Sequence, residues 1–232
     1  DTCRWDETLL KREALGLIIK AYSDMEPINN ADRGFAEGEV VNNTQAENTE
    51  GDGVFENPFE DVFETDWYYK AVLWGAENKV VAGLTETKFG PAEVCTRAQI
   101  VAFLWRAAGC PEPKTKKCAF TDVKSSSYYY KPVLWAVENG VTTGVKADEF
   151  QPDKTCTRAE IVTFIWRAEG KEAVDGAENP FTDVPSNEWY AEAVLWAVEN
   201  EVTTGYTEDT FAPDDNCTRA QIVTFLYRAL AE

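Results

Sequence analysis

The chain contains no histidine. That absence removes imidazole-based nucleophile activation, histidine general-base chemistry and most zinc sites together. It has no apolar run of 18 residues, so no segment reads as a bilayer-spanning helix. Nothing at the start has the charged, apolar and small-residue pattern of a signal peptide; the chain opens at Asp1, as a mature or trimmed product would. Basic residues are scarce: 22 against 41 acidic ones, a formal net charge of −19. Such a field disfavours nucleic acid and anionic membranes, and it suits solubility in a salty or cell-surface setting. No close C-x-x-C pair and no D-x-D-x-D-G loop occurs, so neither a thiolate metal site nor a calcium loop is expected, and no cofactor is implied.

What is present is repetition. At 232 residues and 44% hydrophobic content the chain can bury a substantial core in one or two domains. The stretch CTRAQIVAFLWRA from Cys95 returns as CTRAEIVTFIWRA from Cys156 and CTRAQIVTFLYRA from Cys217, at intervals of 61 residues. Each copy reads as a helix with its own start signal. Thr96 with Gln99, Thr157 with Glu160 and Thr218 with Gln221 have capping-box spacing, in which hydroxyl and carboxyl or amide satisfy free N–H groups reciprocally. Ile100, Phe103, Leu104 and Ala107 follow an i, i+3, i+4, i+7 face, and Val101 and Trp105 add a second.

Arg97, Arg158 and Arg219 occupy the first helical position, where the positive end of the helix dipole costs a cation about 0.3–1 kcal/mol. Two readings stand side by side and can coexist. One is a structural ion pair with a nearby carboxylate. The other is an anion site built from free N–H groups, the dipole and a guanidinium fork.

The same period extends back to Phe59, and a fixed period of this length marks a repeat architecture. FEDV, FTDV and FTDV open at Phe59, Phe120 and Phe181. Trp67, Tyr128 and Trp189 follow, and then an amphipathic segment around Trp74, Trp135 and Trp196 that reads as a second helix. In repeat 2 that helix is expected to start near Lys131, because Pro132 is tolerated only in a first turn. Loops then run from Gly83, Gly144 and Gly205 to Phe89-Gly-Pro91, Phe150-Gln-Pro152 and Phe211-Ala-Pro213. A two-helix unit cannot bury its apolar faces alone, so three should pack together, with the T-R-A helices shared at the core, three similar clefts between neighbours and the second helices outward.

The fold expected is therefore mainly α: three helix–loop–helix repeats packed as a pseudo-threefold trimer, over 58–110, 118–170 and 179–232. Residues 1–22 hold an extra N-terminal helix with Leu10, Ala14, Leu17, Ile18 and Ala21 on one face, and 23–57 read as an acidic loop or linker. Six cysteines permit a disulfide framework. Cys110 and Cys118 bracket a short loop and are the leading pair. Cys95, Cys156 and Cys217 precede the three caps and read either as small hydrophobes or as partners for one another and Cys3.

The pattern F-x-D-V, W-Y, A-V-x-W-A, V-x-x-G, F-x-P and T-R-A-[EQ], three times over, resembles the S-layer homology (SLH) domain triad across about 59–229. The resemblance implies a pseudo-threefold helical trimer with no catalytic residues. It implies non-covalent anchoring of a secreted protein to the bacterial cell wall and cell surface, typically through secondary wall polysaccharides bearing pyruvate ketals. It further implies ligand clefts using Arg97, Arg158 and Arg219, Asp61, Asp122 and Asp183, and the loops at Gly83, Gly144 and Gly205. Trp67, Tyr128 and Trp189 are the aromatic candidates for a sugar face, their other reading being core aromatics that close each unit. The Asp residues have a second reading too, as groups that only hold the Arg in place.

Departures from the family pattern predict unequal clefts. Gln99 and Gln221 stand where Glu is frequent, Val81-Ala82 lacks the hydroxyls of Thr142-Thr143 and Thr203-Thr204, and Tyr128 replaces Trp. Two other functions compete with wall anchoring. The triad could self-associate or hold surface-protein cargo, or the repeated Asp could serve a carboxylate glycosidase, although each shares its cleft with Arg rather than with a second acid.

Overall fold

The computed structural model describes residues 55–170, 173–174 and 176–231. The expected N-terminal helix over 1–22, most of the acidic stretch 23–57, and Cys3 lie outside the described residues. Six helices are present among them: α1 (Tyr69–Glu77), α2 (Arg97–Ala107), α3 (Tyr130–Glu138), α4 (Arg158–Ala168), α5 (Ala191–Glu199) and α6 (Arg219–Leu230). No strand longer than an isolated bridge occurs among the described residues. The expectation of a mainly α, three-repeat architecture holds.

Local sequence explains where α2, α4 and α6 begin. Thr96, Thr157 and Thr218 are extended, each hydroxyl accepts the N–H of the residue three positions on, and that residue's side chain returns to the cap N–H. All three capping boxes are therefore complete. The outer helices α1, α3 and α5 lack side-chain caps and start after a tyrosine. Pro132 is the third residue of α3, still in the first turn, where its missing N–H breaks no intrahelical bond.

The helices of one repeat are not each other's main packing partners. α1 of repeat 1 packs on α6 of repeat 3, α3 of repeat 2 on α2 of repeat 1, and α5 of repeat 3 on α4 of repeat 2. The T-R-A helices also contact one another, α2 with α4 and α4 with α6. Ile100, Val101, Ile161, Val162, Ile222 and Val223 are buried on them. Each repeat thus completes its neighbour, and no two-helix hairpin owns a core of its own.

Short extended pieces pair just before the caps. Thr96 bridges Thr155, Thr157 bridges Asn216, and Thr218 bridges Val94, all antiparallel. Cys156 N–H donates to Cys95 O at 3.2 Å and Cys217 N–H to Cys156 O at 3.4 Å. This pairing gathers Cys95, Cys156 and Cys217, each fully buried and present as a free thiol. They occupy the place of small hydrophobes. Burial pushes the Cys95 thiol up to about 11 and the Cys217 thiol up to about 12, and raises Cys156 further.

Cys110 and Cys118 also stand as free thiols, Cys110 exposed and Cys118 half-buried. Cys118 falls where repeats 1 and 3 have Asn57 and Asn179. Each Asn side chain accepts the N–H of Phe59 or Phe181 at 3.0 Å and donates to the Val62 or Val184 carbonyl. A thiol there keeps the acceptor role toward Phe120 N–H but carries no amide donor.

Two outcomes are expected from this packing. In the folded protein at neutral pH, Ellman's reagent should titrate Cys110 and leave Cys95, Cys156 and Cys217 unreactive until denaturant is added. Phe150→Ala should lower unfolding free energy by about 3–5 kcal/mol in urea titrations, as emptying a large core site does.

Candidate functional site: the three inter-repeat junctions

Each junction is built around one peptide group. Phe89, Phe150 and Phe211 are almost wholly buried, and the residue after each, Gly90, Gln151 or Ala212, has a φ between 57° and 72°. That left-handed turn aims two successive N–H groups at the aspartate of the same repeat. Asp61 accepts from Phe89 N–H and Gly90 N–H at 2.8 and 2.9 Å. Asp122 does so from Phe150 and Gln151, and Asp183 from Phe211 and Ala212.

The phenylalanine carbonyl points the other way, to the arginine of another repeat. Arg97 Nε donates to Phe150 O at 2.9 Å, Arg158 Nε to Phe211 O at 2.7 Å, and Arg219 Nε to Phe89 O at 2.9 Å. The order is cyclic: repeat 1 holds repeat 2, repeat 2 holds repeat 3, and repeat 3 holds repeat 1. Each aspartate and arginine therefore form an ion pair relayed through one peptide unit. The carboxylate binds its N–H and the guanidinium its C=O, so each bond polarises the other. All three arginines meet a carboxylate in this indirect form, and Arg97 also pairs directly with Glu160.

The guanidinium is also sandwiched between rings. Arg97 lies 5.1 Å from the centroids of both Phe150 and Phe164, Arg158 lies 4.7 and 5.4 Å from Phe211 and Phe225, and Arg219 lies 4.6 and 5.9 Å from Phe89 and Phe103. Two ring faces contribute roughly 0.5–2 kcal/mol each toward holding a desolvated cation at an unfavourable helix end. All three arginines are only 4% exposed.

The N–H groups that a helix-end anion site would use are occupied. Arg97 and Ala98 donate to Lys154 O and Pro152 O, Arg158 and Ala159 to Asp215 O and Pro213 O, and Arg219 and Ala220 to Glu93 O and Pro91 O. Gly83, Gly144 and Gly205 are constrained by space. A Cβ would sit 2.7, 2.4 and 2.5 Å from the rings of Phe59, Phe120 and Phe181, and against loop carbonyls. Arg and Asp thus converge on one phenylalanine in every junction, and the glycine packs on a second ring, Phe59, Phe120 or Phe181, that lies against it.

The aromatic candidates behave differently. Trp67, Tyr128 and Trp189 are 65%, 61% and 57% exposed. Each stands edge-on to the next tyrosine, Tyr68, Tyr129 or Tyr190, at 5.1–5.2 Å. They do not close the core; Trp74, Trp135 and Trp196 pack against it instead. In repeat 2, Tyr129 and Asp122 line one surface cavity of about 570 Å³ together with Lys124, Ser127 and Lys154.

The junctions are unequal, as the departures predict. Arg97 Nη1 pairs with Glu160 at 3.2 Å, and Lys154 Nζ shares the same oxygen at 3.1 Å. Arg219 Nη2 donates to Ala82 O at 2.7 Å. Arg158 Nη2 is buried without a partner. Thr142 and Thr203 hydroxyls accept the N–H groups of Gly144 and Gly205 at 3.1 and 3.2 Å; Val81 supplies no such acceptor in repeat 1. Sequence reasoning treated Phe89, Phe150 and Phe211 as loop punctuation, and it passed over Lys124 and Lys154. The repeated F-x-P signalled the first group; aligning loop positions at the 61-residue period would have exposed the second.

A closed ring of three interlocked helical repeats with an exposed aromatic on each defines a repeat-built surface module. The S-layer homology domain family matches at residues 58–101, 119–162 and 180–223. The chain belongs to that family. It is 32% identical over 169 residues to an endoglucanase of Bacillus sp. (strain KSM-635), covering 71% of this chain and 18% of that protein. It is 38% identical over 96 residues to the middle cell wall protein of Brevibacillus brevis, covering 39% and 9%, and 36% identical over 106 residues to the surface-layer 125 kDa protein of Lysinibacillus sphaericus, covering 46% and 9%. The chain thus spans less than a fifth of the length of these relatives.

The peptide relay has a pH signature. Burial raises the Asp61 carboxyl, but the N–H donors of Phe89 and Gly90 and the nearby Lys88 outweigh it and hold the value below 3.8. Its stabilisation is fully present above that ordinary value and is lost as pH falls through the lower folded one. Asp61→Asn should cost about 1–3 kcal/mol at pH 7. The gap from the natural sequence should close below pH 3.8, as read by urea unfolding across pH 3–6.

Proposed function

We propose that this chain is a non-covalent, non-catalytic anchor that holds a secreted bacterial protein to the cell wall by binding a secondary wall polysaccharide, its acidic units pyruvylated, along the grooves between repeats. One observation carries the reading: Trp67, Tyr128 and Trp189 are each more than half exposed at equivalent positions of three repeats. A large aromatic held in water three times contributes little to the core, whereas a sugar ring laid on its face buries apolar surface on both partners. Family membership and the cell-wall and surface-layer names of relatives support the same reading.

Three weak contacts on one rigid unit act together on a repeating polymer, so avidity replaces single-site strength. The −19 charge opposes an acidic polymer at long range. Screening over about 8 Å at physiological ionic strength leaves short-range contacts to decide.

The test is co-sedimentation of the full chain with Gram-positive cell walls before and after acid stripping of secondary polymers. Binding should be lost on stripping. Trp67→Ala, Tyr128→Ala and Trp189→Ala should each weaken it by about threefold to tenfold while leaving the melting temperature unchanged. Absence of binding to both wall preparations, with oligomers growing at higher concentration in light scattering, would instead favour self-association of the triad.

A further inference from the structure

The three grooves are not chemically alike. In repeat 2 the cavity beside Asp122 is walled by Lys124, Ser127, Tyr129 and Lys154. Counting back 61 residues, repeat 1 has Phe63, Asp66 and Glu93 at the positions of Lys124, Ser127 and Lys154. Counting forward, repeat 3 has Pro185, Glu188 and Asp215 there. The contrast extends beyond the groove, since seven of the chain's 13 lysines fall within 114–154 and residues 180–232 contain none.

Charge can be assigned junction by junction. The repeat 2 groove meets Arg97, whose N–H donates to Lys154 O at 2.9 Å. Three cations (Arg97, Lys124, Lys154) there face three carboxylates (Asp122, Asp153, Glu160). At the corresponding positions of repeat 3, Arg158 alone faces Asp183, Glu188, Asp214 and Asp215; in repeat 1, Arg219 alone faces Asp61, Asp66 and Glu93. Lys124 is exposed and makes no ion pair among the described residues. Lys154 is 46% exposed and held by Glu160, which also binds Arg97. A free ammonium and a positioned one therefore border the same cavity. Tyr128, exposed nearby, lies within electrostatic reach of Asp153 on its wall.

We infer that the groove of repeat 2 is the subsite for the acid-bearing sugar of the polymer, with Lys124 and Lys154 as its specificity-determining residues. The acidic grooves of repeats 1 and 3 take neutral stretches of the same chain. This rests on the wall-polysaccharide reading and adds to it which groove reads charge. Two ammonium groups about a 570 Å³ cavity suit a carboxylate carried on a sugar ring. In the other two grooves that carboxylate would meet Glu93 or Asp215.

The test uses the full chain, isotopically labelled, titrated with pyruvylated wall-polysaccharide fragments and with the same fragments after mild acid has removed the ketal. With the intact fragments, amide shifts should concentrate at Gln151, Asp153 and Lys154, and removal of the ketal should abolish those shifts first. Lys124→Gln with Lys154→Gln should weaken binding of the ketal-bearing fragment roughly tenfold, as expected for two exposed ion pairs. That double variant should bind the ketal-free fragment as the natural sequence does, which also shows that it is folded. The matched control, Glu188→Gln with Asp215→Asn in repeat 3, should change neither ligand's shifts in repeat 2. Ketal-dependent shifts centred on Gly90 or Ala212, or unchanged affinity in the double lysine variant, would overturn this inference and leave wall binding standing. No shift with either fragment would overturn both.

Discussion

The structure depends on one peptide unit per repeat, the one joining Phe89 to Gly90, Phe150 to Gln151 and Phe211 to Ala212. Its N–H is bound by a carboxylate of its own repeat and its C=O by a guanidinium of another. A direct Arg–Asp bridge would tie two side chains together; this arrangement ties two chain segments. The arginine thus fixes the backbone of the neighbouring loop, and the left-handed residue after the phenylalanine is held in a conformation that Gln151 and Ala212 would not choose alone.

From that follows the division of labour within each repeat. The residues that look most chemically active, Arg and Asp, are spent on architecture, with the carboxylate oxygens taken by backbone donors and the guanidinium enclosed between rings. Outside that architecture lies the rim, an exposed aromatic and the first-turn loop side chains of each repeat; Arg158 Nη2, though without a partner, is itself buried. The centre is held nearly identical three times while the rim varies. Such a unit can keep one fold and present three surfaces.

How much of this was legible beforehand depends on the range of each interaction. The capping boxes were readable because both partners sit within four residues, and the amphipathic faces because helix period shows in the string. The 61-residue interval implied the trimer. What did not show was the relay, since Arg97 meets Phe150 at a separation of 53 residues and Arg219 meets Phe89 at 130. Nor did the string say that helix pairs cross between repeats. Trp67 and Trp74 are both aromatic in one short segment, and composition cannot tell which faces water; only the packing of α1 on α6 separates them. Lys124 was passed over because lysine in a polar loop is ordinary until its counterparts Phe63 and Pro185 are set beside it.

The closure of repeat 3 on repeat 1 has a consequence for how the molecule comes into being. α1 is made early but has its packing partner in α6, and Phe89 waits for Arg219. A ribosome that has finished two repeats has therefore produced chain whose first outer helix has no surface to lie on and whose first loop has no cation. Local contacts within each T-R-A helix form at once, yet the ring closes only when the last is made, and such long-range contacts slow folding. Until then the apolar sides of Val72 and Phe89, buried in the finished ring, remain open to water, so the growing chain is exposed to aggregation and proteolysis until α6 has been made.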